Sequence, residues 1–134
     1  MFLVELTESE KKNFLELVNI IATCDGEFSE AEKKLFDAYR REMNLPEEDY
    51  AIQGKGFEDI MSELQNSNRV TKKKIFVELL ALTSVDNKYL RAEEIVIKEL
   101  ARRFEIGEED YINFLGLVVQ LKELYKKVQE LVER

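Results

Sequence analysis

The chain has 134 residues, 45% of them hydrophobic, with 28 Asp plus Glu against 20 Lys plus Arg and a net charge of −8. A single domain of this size buries about two-thirds of its unfolded surface and needs no disulfide or metal staple, while the acidic balance argues against a nucleic-acid footprint. There is no histidine, which excludes the serine and cysteine triads, His-based zinc motifs and Glu-x-x-His di-iron sites; the one cysteine, Cys24, excludes an intrachain disulfide and suits a reducing compartment.

The opening, MFLVELTESEKK, lacks the basic and apolar regions of a secretory signal. No apolar run approaches the roughly 18 residues that span a bilayer. A cytoplasmic protein without membrane insertion is therefore expected. Thr7 to Glu10 reads as a capping box, followed by Phe14, Leu17, Val18 and Ile21 on one helical face. Leu15, Ile20 and Ala22 add a second face, so this first helix should be buried on most sides up to about Cys24. After the link DGEFS, Ser29 is placed to cap a second helix carrying Leu35, Phe36, Tyr39 and Met43 on one face. Pro46 and the acids Glu47, Glu48 and Asp49 read as the first turn of a further helix. Gly54 and Gly56 then break the chain before a short helix with Phe57, Ile60, Met61 and Leu64.

The sequence then repeats itself at an offset of 61. Residues 25–50 align without gaps on residues 86–111 with eight identities in 26 positions, among them Asp25/Asp86, Glu32/Glu93 and the strings EEDY. Apolar positions follow, with Phe14 matching Ile75, Val18 matching Leu79 and Ile21 matching Leu82. Gly54 and Gly56 give way to Leu115 and Leu117, so the tail reads as one long helix. The expected architecture is one all-α domain over residues 1–134, a bundle of about seven helices in two similar halves, about 7–65 and 68–134. Neither half is long enough to cover its own apolar face, so the halves should pack about a pseudo-twofold axis.

Each half carries Asp-x6-Glu across a helix–link–helix junction, Asp25 with Glu32 and Asp86 with Glu93. A short link brings two hard carboxylate oxygens together, which suits Ca²⁺ or Mg²⁺ first, with Mn²⁺ and Zn²⁺ left open. An EF-hand does not fit, because its first ligand position would fall on Ile21 or Leu82. The bland alternative is capping chemistry: Ser29-x-x-Glu32 is itself a capping box. Leu90 replaces the cap serine in the second copy while Glu93 stays, and a carboxylate at a helix C-terminus, as at Asp25 and Asp86, is disfavoured by a few tenths to about one kcal/mol. Carboxylates alone do not make an enzyme, so none is expected.

The stretch ATCDGEFSEAEKKLFDAYRREMNLPEEDY resembles the signature of the tellurite-resistance TerB family and of the related N-terminal domain of DjlA-type membrane co-chaperones. The shared features are a small residue, Asp-Gly, an apolar residue, Glu seven after the Asp, and a helix ending in a turn with two Glu. The resemblance covers residues 14–125. It implies a TerB-like helical fold with an internal pseudo-repeat and a divalent metal at Asp25, Glu32, Asp86 and Glu93, the second pair in a degenerate copy with Asn87 and Lys88 after its Asp. It further implies a stress-associated module whose protein partner belongs to membrane-associated stress machinery. The competing expectation is a ligand-free protein–protein interaction module whose function lies on a helix surface.

Overall fold

Thr7 caps the first helix as its sequence requires: its Oγ1 accepts the N–H of Glu10 at 3.2 Å, and the Glu10 carboxylate accepts the N–H of Thr7 at 2.9 Å. The second Glu10 oxygen accepts the Ser67 hydroxyl at 2.6 Å, which ties the start of this helix to the turn before the fourth. The computed structural model describes every residue except 25, 27 and 84–90. The described residues form a short 3-10 helix, Leu3–Glu5, and the helices α1 (Glu8–Thr23), α2 (Glu30–Met43), α3 (Phe57–Leu64), α4 (Arg69–Thr83), α5 (Arg91–Arg103) and α6 (Glu108–Val132), with no strand among them.

Helix α1 is the centre of the packing. It lies against α2, α3, α4 and α5, and Phe14, Leu15, Leu17, Val18 and Ile21 are all fully buried because apolar residues occupy more than one of its faces. Helix α4 is the other inner element, with Ile75, Phe76, Leu79 and Leu80 fully buried between α1, α5 and α6. Phe14 meets the Tyr39 ring edge-on at 5.1 Å and so joins α1 to α2, while Tyr39 donates its hydroxyl to the Glu78 carbonyl on α4 at 3.2 Å. Burial first, and the Glu78 charge second, push the Tyr39 phenol above its ordinary value.

One expected helix is absent. The segment from Pro46 closes a single turn, with the N–H groups of Asp49 and Tyr50 donating to the Pro46 carbonyl, and then runs without regular secondary structure to Gly56. The expected count of seven helices thus becomes six α-helices and the 3-10 turn among the described residues. The long tail helix is present, as are α1, α2 and α3 near their expected bounds.

The missing helix has a physical reason in a carboxylate that the apolar pattern does not reveal. Glu16 sits in the middle of α1, fully buried, and faces the chain between Tyr50 and Lys55. Its Oε2 accepts the Tyr50 hydroxyl at 2.6 Å and the Gln53 N–H at 2.8 Å, and its Oε1 accepts the Lys55 N–H at 3.0 Å. Burial pushes the Glu16 carboxyl up, but the N–H of Gln53, the Tyr50 hydroxyl and the N–H groups of Lys55 and Gly54 outweigh it and hold the group below the ordinary range. Gly54, at φ +73°, supplies the left-handed backbone that aims several N–H groups at one anion. Arg40 grips the same segment from α2: Nη1 donates to the carbonyls of Leu45 at 3.1 Å and Tyr50 at 2.8 Å, and its guanidinium lies over the Phe36 ring. Backbone groups that a helix would pair internally are here taken by side chains.

Replacing Glu16 with Gln puts an amide N–H₂ against backbone donors and should lower the unfolding free energy by about 2–4 kcal/mol. Because the folded carboxyl is held below the ordinary value of 4.5, its stabilisation is fully present above that pH and is lost as the pH falls through the folded value. Urea unfolding at a series of pH values should therefore show the gap between wild type and Glu16→Gln closing in acid. A gap that stays constant down to strongly acid pH would mean that the charge of Glu16 does not hold this segment.

Candidate functional site

Between α1 and α2 the chain turns at Gly26, whose φ of +87° is left-handed and whose N–H donates to the Thr23 carbonyl at 2.9 Å. Ser29 then caps α2. Its Oγ accepts the Glu32 N–H at 3.0 Å, and Glu32 Oε1 accepts the Ser29 N–H at 2.9 Å, a reciprocal capping box. Glu32 is 5% exposed. Glu93 stands in the first turn of α5, at the corresponding place, and is likewise 5% exposed. The structure thus turns both glutamates inward at the start of their helices. Asp25 and Asp86 lie outside the described residues, as does Leu90. Among the described residues, no group of three or more His, Cys, Asp or Glu is arranged to hold a metal ion.

Cys24 is half-buried, its Sγ 3.1 Å from the Ile21 carbonyl, in keeping with a small packing residue. Of the repeated tyrosines, Tyr50 is buried on Glu16, and Tyr111 packs its ring against Phe76 at 5.8 Å.

The feature that the sequence reading passed over lies on α6. Its first half packs on α4, with Val118 buried and Phe114 set against Phe76. Past Val118 every residue is exposed except Lys122, which is half-buried where it reaches the Ala81 carbonyl on α4, and the last turns of the helix are exposed throughout. Leu117, Leu121, Leu124, Tyr125, Val128, Leu131 and Val132 are between 47% and 78% exposed. Their spacing was legible: Phe114, Leu117, Leu121, Leu124, Val128 and Leu131 alternate steps of three and four residues, the heptad pattern of a helix that packs on other helices. Val118, Tyr125 and Val132 widen the seam to three apolar residues in seven, the width found in a bundle.

The same face forms one wall of an apolar groove of about 550 Å³. Phe114, Leu117 and Leu121 line it from α6, Val77 and Ala81 from α4, and Phe2 from the N-terminal segment. Lys122 and Glu78 are its charged lining residues. Lys122 donates to the Ala81 carbonyl at 2.7 Å, and burial lowers its ammonium below the ordinary lysine value. Among the described residues no helix is long and apolar enough to cross a membrane, so this face is not a bilayer span. Comparison with known protein families, with curated proteins and with solved structures gives no match.

The capping box makes a prediction that separates its members. Ser29→Ala should lower stability by about 1 kcal/mol, whereas Glu32→Gln should lower it less, because the glutamine amide oxygen accepts the same N–H. Chemical denaturation of both variants decides the matter. A larger loss for Glu32→Gln would show that its charge is used beyond the cap.

Proposed function

We propose that this chain is a helical protein–protein interaction module that works through the apolar face of α6, with Ser29 and Glu32 serving as a helix cap. The observation that carries this reading is the row of seven apolar side chains from Leu117 to Val132, all about half or more exposed on one face. Single exposed apolar residues are ordinary on a protein surface, but a contiguous strip continuous with an apolar groove marks a surface made to be covered. Each fully buried leucine or valine side chain contributes about 1.5–3 kcal/mol, so covering even part of the strip outweighs the ordering of a partner.

The TerB-like organisation in two halves belongs to this proposal. It is supported by the helix starts: α1 begins at residue 8 and α4 at 69, α2 at 30 and α5 at 91, an offset of 61 in each case. The helix ends agree as well. Asn44 after α2 and Glu105 after α5 both take left-handed φ values, 52° and 57°, and the following N–H groups donate back to Arg40 and Ala101. The same resemblance supports reading the module as cytoplasmic and stress-associated.

A second reading, a divalent cation held by Asp25, Glu32, Asp86 and Glu93, is favoured by the burial of Glu32 and Glu93 at corresponding places. Calorimetric titration with Ca²⁺, Mg²⁺, Mn²⁺ and Zn²⁺ tests it. On the capping reading no saturable heat appears, and wild type matches an Asp25→Asn, Glu32→Gln variant. Saturable binding that the double variant loses would establish the ion site instead.

For the interaction reading, a photo-reactive phenylalanine placed at Leu124 or Val128 in living cells should give covalent adducts with protein. The same probe at Lys34, exposed on α2, should not. If both α6 positions yield no adduct, the face has no protein partner and the reading fails.

A further inference from the structure

Resting on that reading, we infer that the partner of the α6 face is a second copy of this chain, paired antiparallel so that the outstanding half of each α6 lies in the apolar groove of the other. The chain carries both halves of a complementary interface on one helix: a ridge, Leu124, Val128 and Leu131, and next to it a groove walled by Phe114, Leu117 and Val77. A twofold axis crossing α6 between Leu121 and Leu124 seats each ridge in the opposite groove, an isologous contact that closes on itself.

One register satisfies the whole seam. With Leu121 opposite Leu124 of the other copy, Leu117 falls opposite Val128 and Phe114 opposite Leu131, so every heptad position from residue 114 to 131 finds an apolar counterpart. Area is sufficient as well. The seven exposed seam side chains present on the order of 700 Å² of apolar surface, close to the roughly 800 Å² that each partner contributes to a stable interface. Ile112 and Val119 point away from the seam and are not part of it.

Charge selects the direction. Glu108, Glu109 and Asp110 form the first turn of α6, whereas its second half mixes Lys122, Lys126 and Lys127 with Glu123 and Glu130, and Glu133 and Arg134 follow its end. A parallel pair would set the acidic turns of both copies side by side. The antiparallel pair separates them and brings Arg134 towards the acidic turn of the opposite helix, as helix dipoles also favour.

Sedimentation equilibrium of the purified chain should give twice the 15.8 kDa of one copy, and a Leu124→Glu, Val128→Glu variant, at two exposed positions, should give one copy with unchanged circular dichroism. For direction, Leu117→Cys and Val128→Cys chains, each in a Cys24→Ala background, are mixed and oxidised. A disulfide joining one chain of each kind is expected, and neither variant alone should cross-link. Cross-linking of Leu117→Cys with itself would overturn the antiparallel arrangement. A dimer that survives the double glutamate change would place the contact elsewhere and overturn the inference. A wild-type monomer that still gives adducts with other proteins from Leu124 would overturn self-pairing and leave the interaction module standing, whereas a monomer without adducts removes both.

Discussion

A buried carboxylate needs several donors aimed at it, and meeting that need at Glu16 shapes the first half of the molecule. Removing a carboxylate from water is unfavourable by several kcal/mol unless hydrogen bonds replace the lost hydration. Here the replacement comes from the Tyr50 hydroxyl and the backbone of residues 53–55. Those groups can point inward only if the chain leaves helical geometry, passes Gly54 in a left-handed conformation and crosses the middle of α1. Helix α3 begins directly after this crossing, at Phe57, and therefore lies against α1. The placement of α3 is thus a consequence of where one glutamate stands.

The second half lacks this constraint, and the contrast explains α6. At the offset of 61, Glu16 becomes Val77, Arg40 becomes Ala101, and Gly54 and Gly56 become Leu115 and Leu117. Among the described residues no carboxylate takes the backbone after Tyr111 and no guanidinium takes its carbonyls, and those groups pair within a helix. The string EEDY is a turn at residues 47–50 and the opening of a 25-residue helix at 108–111. Two changes act together: leucines replace the glycines and so raise helical propensity, and the side chains that compete for the backbone in the first half are gone. Because α6 runs on where the first half turns back, its far end leaves the domain with its apolar seam uncovered. The apolar face that carries the functional reading thus lies where the sequence repeat has lost Glu16, Arg40 and the two glycines.

The two differ in how far the sequence discloses them. Caps at Thr7 and Ser29, the buried α1, the short α3 and the long tail are all visible because local spacing and capping residues determine them. The turn after Pro46 is not, since its cause, Glu16, is 34 residues from Tyr50 and sits in a run where only apolar neighbours advertise burial. Periodicity reports that one face of a helix is apolar but not what lies against it. Phe114 and Leu124 therefore look alike in sequence, although one packs on Phe76 and the other stands 58% exposed. Glu32 shows the same ambiguity at a single residue: a carboxylate three residues after a serine is both a cap and a candidate ligand, and the bond of its Oε1 to the Ser29 N–H shows the cap while leaving the second role to the titration.

Two copies of a chain with net charge −8 should repel each other, yet the location of that charge leaves α6 free to pair. Residues 122–134 carry four basic and three acidic side chains, so the negative charge belongs to the rest of the domain. A helix of 25 residues is about 37 Å long. Antiparallel pairing puts the two acidic bodies towards opposite ends of it, several times the Debye length of about 8 Å at physiological ionic strength. Their repulsion is then screened while the apolar contact is not. Lowering the salt restores the repulsion without touching the seam, so the balance between charge and apolar burial, rather than either alone, sets how tightly this face closes.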